Sequence, residues 1–165
     1  MARQAFYSFH YLPDNWRVSQ VRNMGVVEGN QPASDNDWET VKRGGDAAIK
    51  RWIDSQLAGK TCALVLIGAE TAQRKWIDYE IHSAWNTNKG VIGIFIHHLK
   101  NAGGLQARKG ANPFAHIRMK RDNASLSSIV KAYGPPYGDS KSCYDHIKQN
   151  LANWIEEAIK IRNTY

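Results

Sequence analysis

The sequence predicts an α/β protein whose central, mostly parallel sheet is covered on both faces by helices. Two observations lead there. TCALVLIG (61–68) and VIGIFIH (91–97) are short, rich in β-branched residues and apolar almost without interruption. Runs that do not alternate belong to strands buried on both faces, the condition of a parallel sheet. Around them lie segments whose apolar residues recur at helical spacing, and strands alternating with helices imply right-handed crossovers. The expected architecture is a flavodoxin-like three-layer sandwich.

Taken in order, QAFYSF (4–9) is aromatic and partly alternating, and reads as the first strand. GVVEG (25–29) is a weaker strand candidate. In DAAIKRWIDSQL (46–57), Ile49, Trp52, Ile53 and Leu57 mark a helix. After the apolar run 61–68, KWIDYEIHSAW (75–85) places Ile77, Ile81, Ala84 and Trp85 on one helical face, with Thr71 as the expected cap. After the run 91–97, residues 99–124 are rich in Gly, Asn and basic side chains, fit no element, and read as a surface excursion. SLSSIVKAY (125–133) is a further strand candidate. Beyond the breaker GPPYG (134–138), Asp139 or Ser140 starts a last helix over 139–163, striped by Ile147, Leu151, Trp154, Ile155 and Ala158. With 165 residues and no internal repeat, residues 1–165 are expected to form one domain.

The chain is 42% hydrophobic and 22% charged, which excludes a disordered class. It has no run of eighteen apolar residues, and its start, MARQAFYSFHY, lacks the apolar core and cleavage site of a signal peptide. A cytoplasmic location away from membranes is the expectation. Cys62 and Cys143 form neither a C-x-x-C pair nor a ligand pattern. Six histidines also lack ligand spacing: His97 and His98 are adjacent at a strand end, with side chains expected on opposite faces, so no metal is expected. The net charge of +7 favours polyanions, but the basic residues are scattered and a solubilising surface is the simpler reading. Nucleic acid is not the expected partner, because several of the six tryptophans fall on helical core stripes.

Known signatures narrow the choice by their absence. The first strand is followed by SFHYLPDN, with no G-x-G-x-x-G; there is no P-loop and no G-x-S-x-G elbow. What remains is RKWIDYEIHSAW (74–85). Trp76 and Glu80 are four apart, one above the other at the border of the apolar face. They lie close to the carboxyl edge of the strands, where doubly wound sheets bind ligands. On spacing alone two readings stay open: a solvated or paired glutamate beside a packing tryptophan, or a ligand-facing pair.

FYSFHY at the first strand, VLIG, and the W-x-x-x-E helix KWIDYEIHSAW together resemble the Toll/interleukin-1 receptor (TIR) class, most closely the bacterial TIR-like proteins of the Thoeris antiphage defence system. RVSQVRN (17–23), DWETVKRGGDAAIKRWI (37–53), GVIGIFIH (90–97) and KGANPF (109–114) extend the resemblance over residues 3–134. The box motifs of animal adaptor TIR domains are not found. The resemblance implies an enzyme that breaks the nicotinamide–ribose bond of NAD, as substrate rather than cofactor. It further implies an ADP-ribose-derived signal nucleotide, cyclic or conjugated, read by a separate effector protein. Glu80 matches the catalytic glutamate and Trp76 the tryptophan before it. Ser8, Phe9, His10 and Tyr11 match the loop that lines the substrate cleft, and 30–38, with Trp38, falls where the family has its loop over that cleft. DNDW also reads as a helix start capped by Asp35 or Asp37. Such enzymes often complete their site by self-association. The alternative is a non-catalytic module that signals by self-association alone.

Overall fold

The structure, a computed structural model, describes residues 3–29 and 40–165. The loop expected at 30–38, with Trp38, and the cap expected at Asp35 or Asp37 lie outside the described residues. Among the described residues, five strands form one sheet: β1 (Gln4–Ser8), β2 (Glu28–Gly29), β3 (Cys62–Ile67), β4 (Gly90–Phe95) and β5 (Ala132–Tyr133). Their spatial order is β2-β1-β3-β4-β5 and every pairing is parallel. Four α-helices lie wholly among the described residues: α1 (Tyr11–Arg22), α2 (Gly45–Leu57), α3 (Lys75–Asn86) and α4 (Ser140–Thr164).

The two apolar runs lie side by side in the middle of the sheet and are covered on both faces along their whole length. All six residues of β3 and all six of β4 are buried. Alternation then sorts their side chains. Cys62, Leu64 and Leu66 join the layer under α1 and α4, whereas Ala63, Val65 and Ile67 join the layer under α2 and α3. The same rule sends Ala5 and Tyr7 of β1 to the first layer and Phe6 to the second. The stripes on α3 and α4 are buried as the spacing predicts: Ile77, Ile81 and Ala84 on one, Ile147, Leu151, Trp154, Ile155 and Ala158 on the other. Asp139 caps α4, accepting from the Ser142 backbone N–H at 2.9 Å. Among the described residues no helix is long and apolar enough to cross a membrane.

Helix α1 was not expected from periodicity, and its burial explains why. Leu12 and Trp16 are exposed, while Asp14 and Arg17 are buried beside Val18 and Val21. The buried charges are tolerated because they are paired and bonded. Arg17 meets Asp14 at 3.1 Å and donates to the carbonyls of Leu99 (2.7 Å), Leu105 (2.9 Å) and Pro13 (3.0 Å).

Three local expectations are corrected. Thr71 does not cap α3: the helix starts four residues later, its N-cap position is held by Arg74 without a side-chain bond, and the Thr71 hydroxyl accepts from the Gly68 N–H at 2.8 Å. The side chains of His97 and His98 do not diverge. Strand β4 ends at Phe95, so both residues lie in the following turn, their ring centroids 4.1 Å apart. The strand candidate 125–133 is mostly irregular: Leu126–Ser128 is a 3-10 turn, and only Ala132–Tyr133 pairs with the sheet.

Residues 99–124 contain no named helix or strand, yet they supply core. Leu99 packs in the α1/α4 layer, and Phe114, Ile117 and Met119 in the α2/α3 layer. Gly110 lies so close to the end of β3 that a Cβ there would meet the Gly68 carbonyl oxygen at 2.1 Å.

Candidate active site at the carboxyl edge

Ser8 is the last residue of β1, and alternation from Phe6 aims it into the α2/α3 layer. It is 1% exposed. Strand β1 lies beside β3, with Ser8 opposite Val65, and the chain returns from β3 through α3. That path brings Glu80, on the flank of the buried α3 stripe, over the end of β1. Ser8 Oγ donates to Glu80 Oε1 at 2.8 Å.

Crowding by the protein dominates the chemistry of this carboxyl. Burial disfavours its anion and pushes its pKa from 4.5 up to about 8, against the smaller opposing effect of the Ser8 hydrogen bond. Glu80 is nevertheless partly exposed, so one edge of the side chain remains within reach of a ligand. A part-buried carboxyl whose proton is held to near neutrality is unlike a solvated surface charge, and it makes Glu80 a candidate functional group.

The residues after Ser8 line the same edge. Phe9 packs partly on the α1/α4 layer, and its ring lies 6.1 Å from that of the exposed Tyr11, tilted by 34°. His10 occupies the N-cap position of α1 without a side-chain cap bond. Burial, helped by the positive charge of Arg74, lowers its pKa, so the ring is neutral at pH 7. Its Nδ1 is buried with no hydrogen-bond partner among the described residues. Trp76 packs at the helix margin. Its indole meets Tyr79 edge-on at 5.9 Å and lies under Lys75 Nζ at 4.9 Å. It is thus a partly buried wall of the α2/α3 layer.

Other residues at this edge were not anticipated. Asp14 is buried, and its Oδ2 has no partner among the described residues. Its carboxyl faces Gly68, where a Cβ would stand 2.0 Å from Oδ2. His97 is buried, with Nδ1 unpartnered among the described residues, and burial together with the charges of His98, Lys109 and Arg17 drives its pKa down to about 4. The D-x-x-R spacing of Asp14 and Arg17 is the one sequence signal that pairs them, and it does not reveal their depth. Among the described residues, no group of three or more potential ligands is placed to hold a metal ion.

The fold and the serine-bound carboxyl at its strand ends define a flavodoxin-like α/β protein of TIR type. Residues 6–101 match the family described as "Thoeris protein ThsB, TIR-like domain", and the chain belongs to that family. The matched span holds Ser8, Phe9, His10, Tyr11, Trp76 and Glu80. The chain is also 38% identical, over 122 residues, to a protein of Bacillus cereus (strain MSX-D12) named "Putative cyclic ADP-D-ribose synthase ThsB1". That match covers 71% of this chain and 64% of the relative, so the chain spans less than two thirds of the relative's length.

Proposed function

We propose that this chain breaks the nicotinamide–ribose bond of NAD and converts the ADP-ribose part into a cyclic or conjugated signal nucleotide in antiphage defence. The observation that supports it best is the Ser8–Glu80 hydrogen bond at the strands' carboxyl edge. The name of the Bacillus cereus relative, a cyclic ADP-D-ribose synthase, points to the same chemistry.

A single carboxylate suffices for this reaction. Most glycosidases need a second carboxyl group to protonate an alkoxide leaving group. Nicotinamide in NAD is already a pyridinium; it takes the electron pair of the breaking C–N bond and departs as a neutral base. Positive charge grows on the ribose instead. An ionised Glu80 beside the ribose hydroxyls opposes that charge and orients the sugar. Attack by a ring nitrogen of the adenine closes a cycle, water gives ADP-ribose, and a foreign nucleophile gives a conjugate. Exclusion of water decides between them.

The anion is formed by the substrate itself. A carboxyl with a pKa of about 8 is mostly protonated at pH 7. The arriving pyridinium favours the charged form, and the Ser8 hydroxyl already stabilises it. Phe9 and Tyr11 supply aromatic surface for nicotinamide or adenine, and the partly exposed His10 beside them is a candidate to bond a ribose or phosphate. In this reading Trp76 walls the site and Trp38 belongs to its covering loop. The enzyme works in the cytoplasm on the NAD pool, without a metal or further cofactor, and hands its product to a separate effector protein.

Exposed Leu12 and Trp16 on α1 favour self-association, which is compatible with catalysis and is the whole function in the alternative reading of a non-catalytic module. Mass spectrometry of the products formed from NAD by the wild-type chain and by Glu80→Gln tests the proposal. Nicotinamide and an ADP-ribose derivative are expected from the first and not the second. Absence of both from the wild type at high protein concentration leaves the non-catalytic module.

A further inference from the structure

At the far end of α3 from its start, a hollow of about 180 Å³ opens between that helix, the 117–121 segment and the end of α4. Its floor is apolar, formed by Ile117, Met119 and Leu126. Its rim carries His82, Arg118, Lys120, Arg121 and Arg162, and no aspartate or glutamate lines it. Some of the protein's other exposed cations find carboxylates: Arg3 pairs with Glu156, Lys75 with Asp46, Lys131 with Glu157 and Lys141 with Asp145. Among the described residues, none of the five rim side chains does so. Converging like charges repel, and the repulsion persists unless something else compensates it.

Two of the guanidinium groups are also held in place. Arg162 lies over the Trp85 ring at 4.4 Å and donates to the Trp85 carbonyl at 2.9 Å and to Asn88 Oδ1 at 2.8 Å. Arg121 lies over the Tyr165 ring at 5.0 Å. Stacked guanidinium groups have less rotamer freedom to lose when they bind, and their remaining N–H groups match the oxygens of a phosphate. Arg118, between the buried Ile117 and Met119, alternates outward, as does Lys120.

From these features we infer that the hollow is a second binding site, for a compact phosphate anion of one or two phosphoryl groups. The space beneath the basic rim has room for such a group. The site begins at His82, two residues past Glu80, and lies toward the C-terminal end of the same helix; the inference does not depend on the reaction proposed above. Free phosphate or pyrophosphate and the phosphates of a nucleotide share this chemistry.

The probe is inorganic pyrophosphate, titrated into the full chain at constant ionic strength and followed by calorimetry. A single saturable site is expected. The exposed pair Arg118→Glu/Arg121→Glu should weaken it by roughly tenfold or more, since two charge-assisted contacts become repulsive. Lys148→Glu, an exposed charge reversal elsewhere on α4, should leave it unchanged. Circular dichroism of each variant confirms that the fold is retained. ADP in place of pyrophosphate, compared in the same variants, separates a nucleotide source from free polyphosphate. Pyrophosphate binding that survives in the double variant would place the anion elsewhere and overturn the inference. So would absence of saturable heat, or binding only to a thymidine oligonucleotide with a steep salt dependence, the mark of non-specific attraction to a polyanion.

Discussion

The Ser8 hydroxyl donates to Glu80 Oε1 at 2.8 Å, joining the end of the first strand to the helix that follows the third. The bond favours the ionised carboxyl while the surrounding protein favours the neutral one, and burial prevails. Activity and stability should therefore respond to this one group in opposite senses.

Replacement of Glu80 by glutamine should lower nicotinamide release about a hundredfold or more, the equivalent of ~3 kcal/mol of barrier. The same change should stabilise the protein at alkaline pH. The folded state holds the Glu80 proton up to about pH 8, whereas the unfolded chain loses it near 4.5. Stability contributed by this group is thus present at low pH and falls as pH rises from 4.5 through 8. Urea unfolding at pH 8 should show the variant about 1–2 kcal/mol more stable, a figure reduced for the side chain's partial exposure, and little difference at pH 4. Equal stability at both pH values would contradict the raised pKa.

A pH–rate profile is the second expectation. The free enzyme's ionisation appears in kcat/KM, which should rise with pH and level off with an inflection near 8. The inflection in kcat should fall at lower pH, because the bound pyridinium favours the carboxylate. Identical inflections in the two profiles would remove substrate-assisted ionisation.

Ser8→Ala deletes the donor that stabilises the anion. The inflection in kcat/KM should move to higher pH, and the value at pH 7 should fall by about tenfold, the scale of one charge-assisted hydrogen bond. Activity should recover partly above the new inflection, an outcome that simple misfolding would not give.

The buried pair behind the site gives a structural prediction. Arg17→Ala leaves the Asp14 carboxyl buried without its partner and takes the guanidinium donor from three carbonyls, of which that of Leu105 keeps the Asn101 N–H. A loss of about 3–5 kcal/mol is expected in chemical denaturation. A loss below 1 kcal/mol would mean that α1 is held to the 99–105 segment by other contacts.

Gly110→Ala tests how tightly the 99–124 segment is fastened. The added methyl would meet the Gly68 carbonyl oxygen at 2.1 Å, a backbone atom that cannot rotate away. A destabilisation of about 1–3 kcal/mol is expected, visible as a lower midpoint in thermal unfolding. An unchanged midpoint would show that the segment yields freely.

The parts of this protein legible in its sequence are those governed by local periodicity. β3 and β4 could be read because both their faces are apolar, and α3 and α4 because one face is. Helix α1 could not, since the side chains it buries are charged and their acceptors, the carbonyls of Leu99 and Leu105, lie more than eighty residues away. Residues 99–124 look polar because Phe114, Ile117 and Met119 are spaced by chain geometry rather than by any regular repeat. Spacing located Glu80 at the helix margin, but its depth depends on Ser8, which no window around the helix contains. Spacing placed Trp76 at the same margin but did not reveal its contact with the Tyr79 ring three residues on. The cap expected at Thr71 failed because that hydroxyl closes the turn after β3 instead.

The hydroxyl and the carboxyl that meet at the sheet's edge are 72 positions apart in the chain. Neither half of a polypeptide cut between the first and third strands contains both. A chain emerging from the ribosome holds no assembled site until residue 80 has been made and the two strands lie side by side. A product cut short before residue 80 therefore carries the Ser8 hydroxyl without its carboxyl partner.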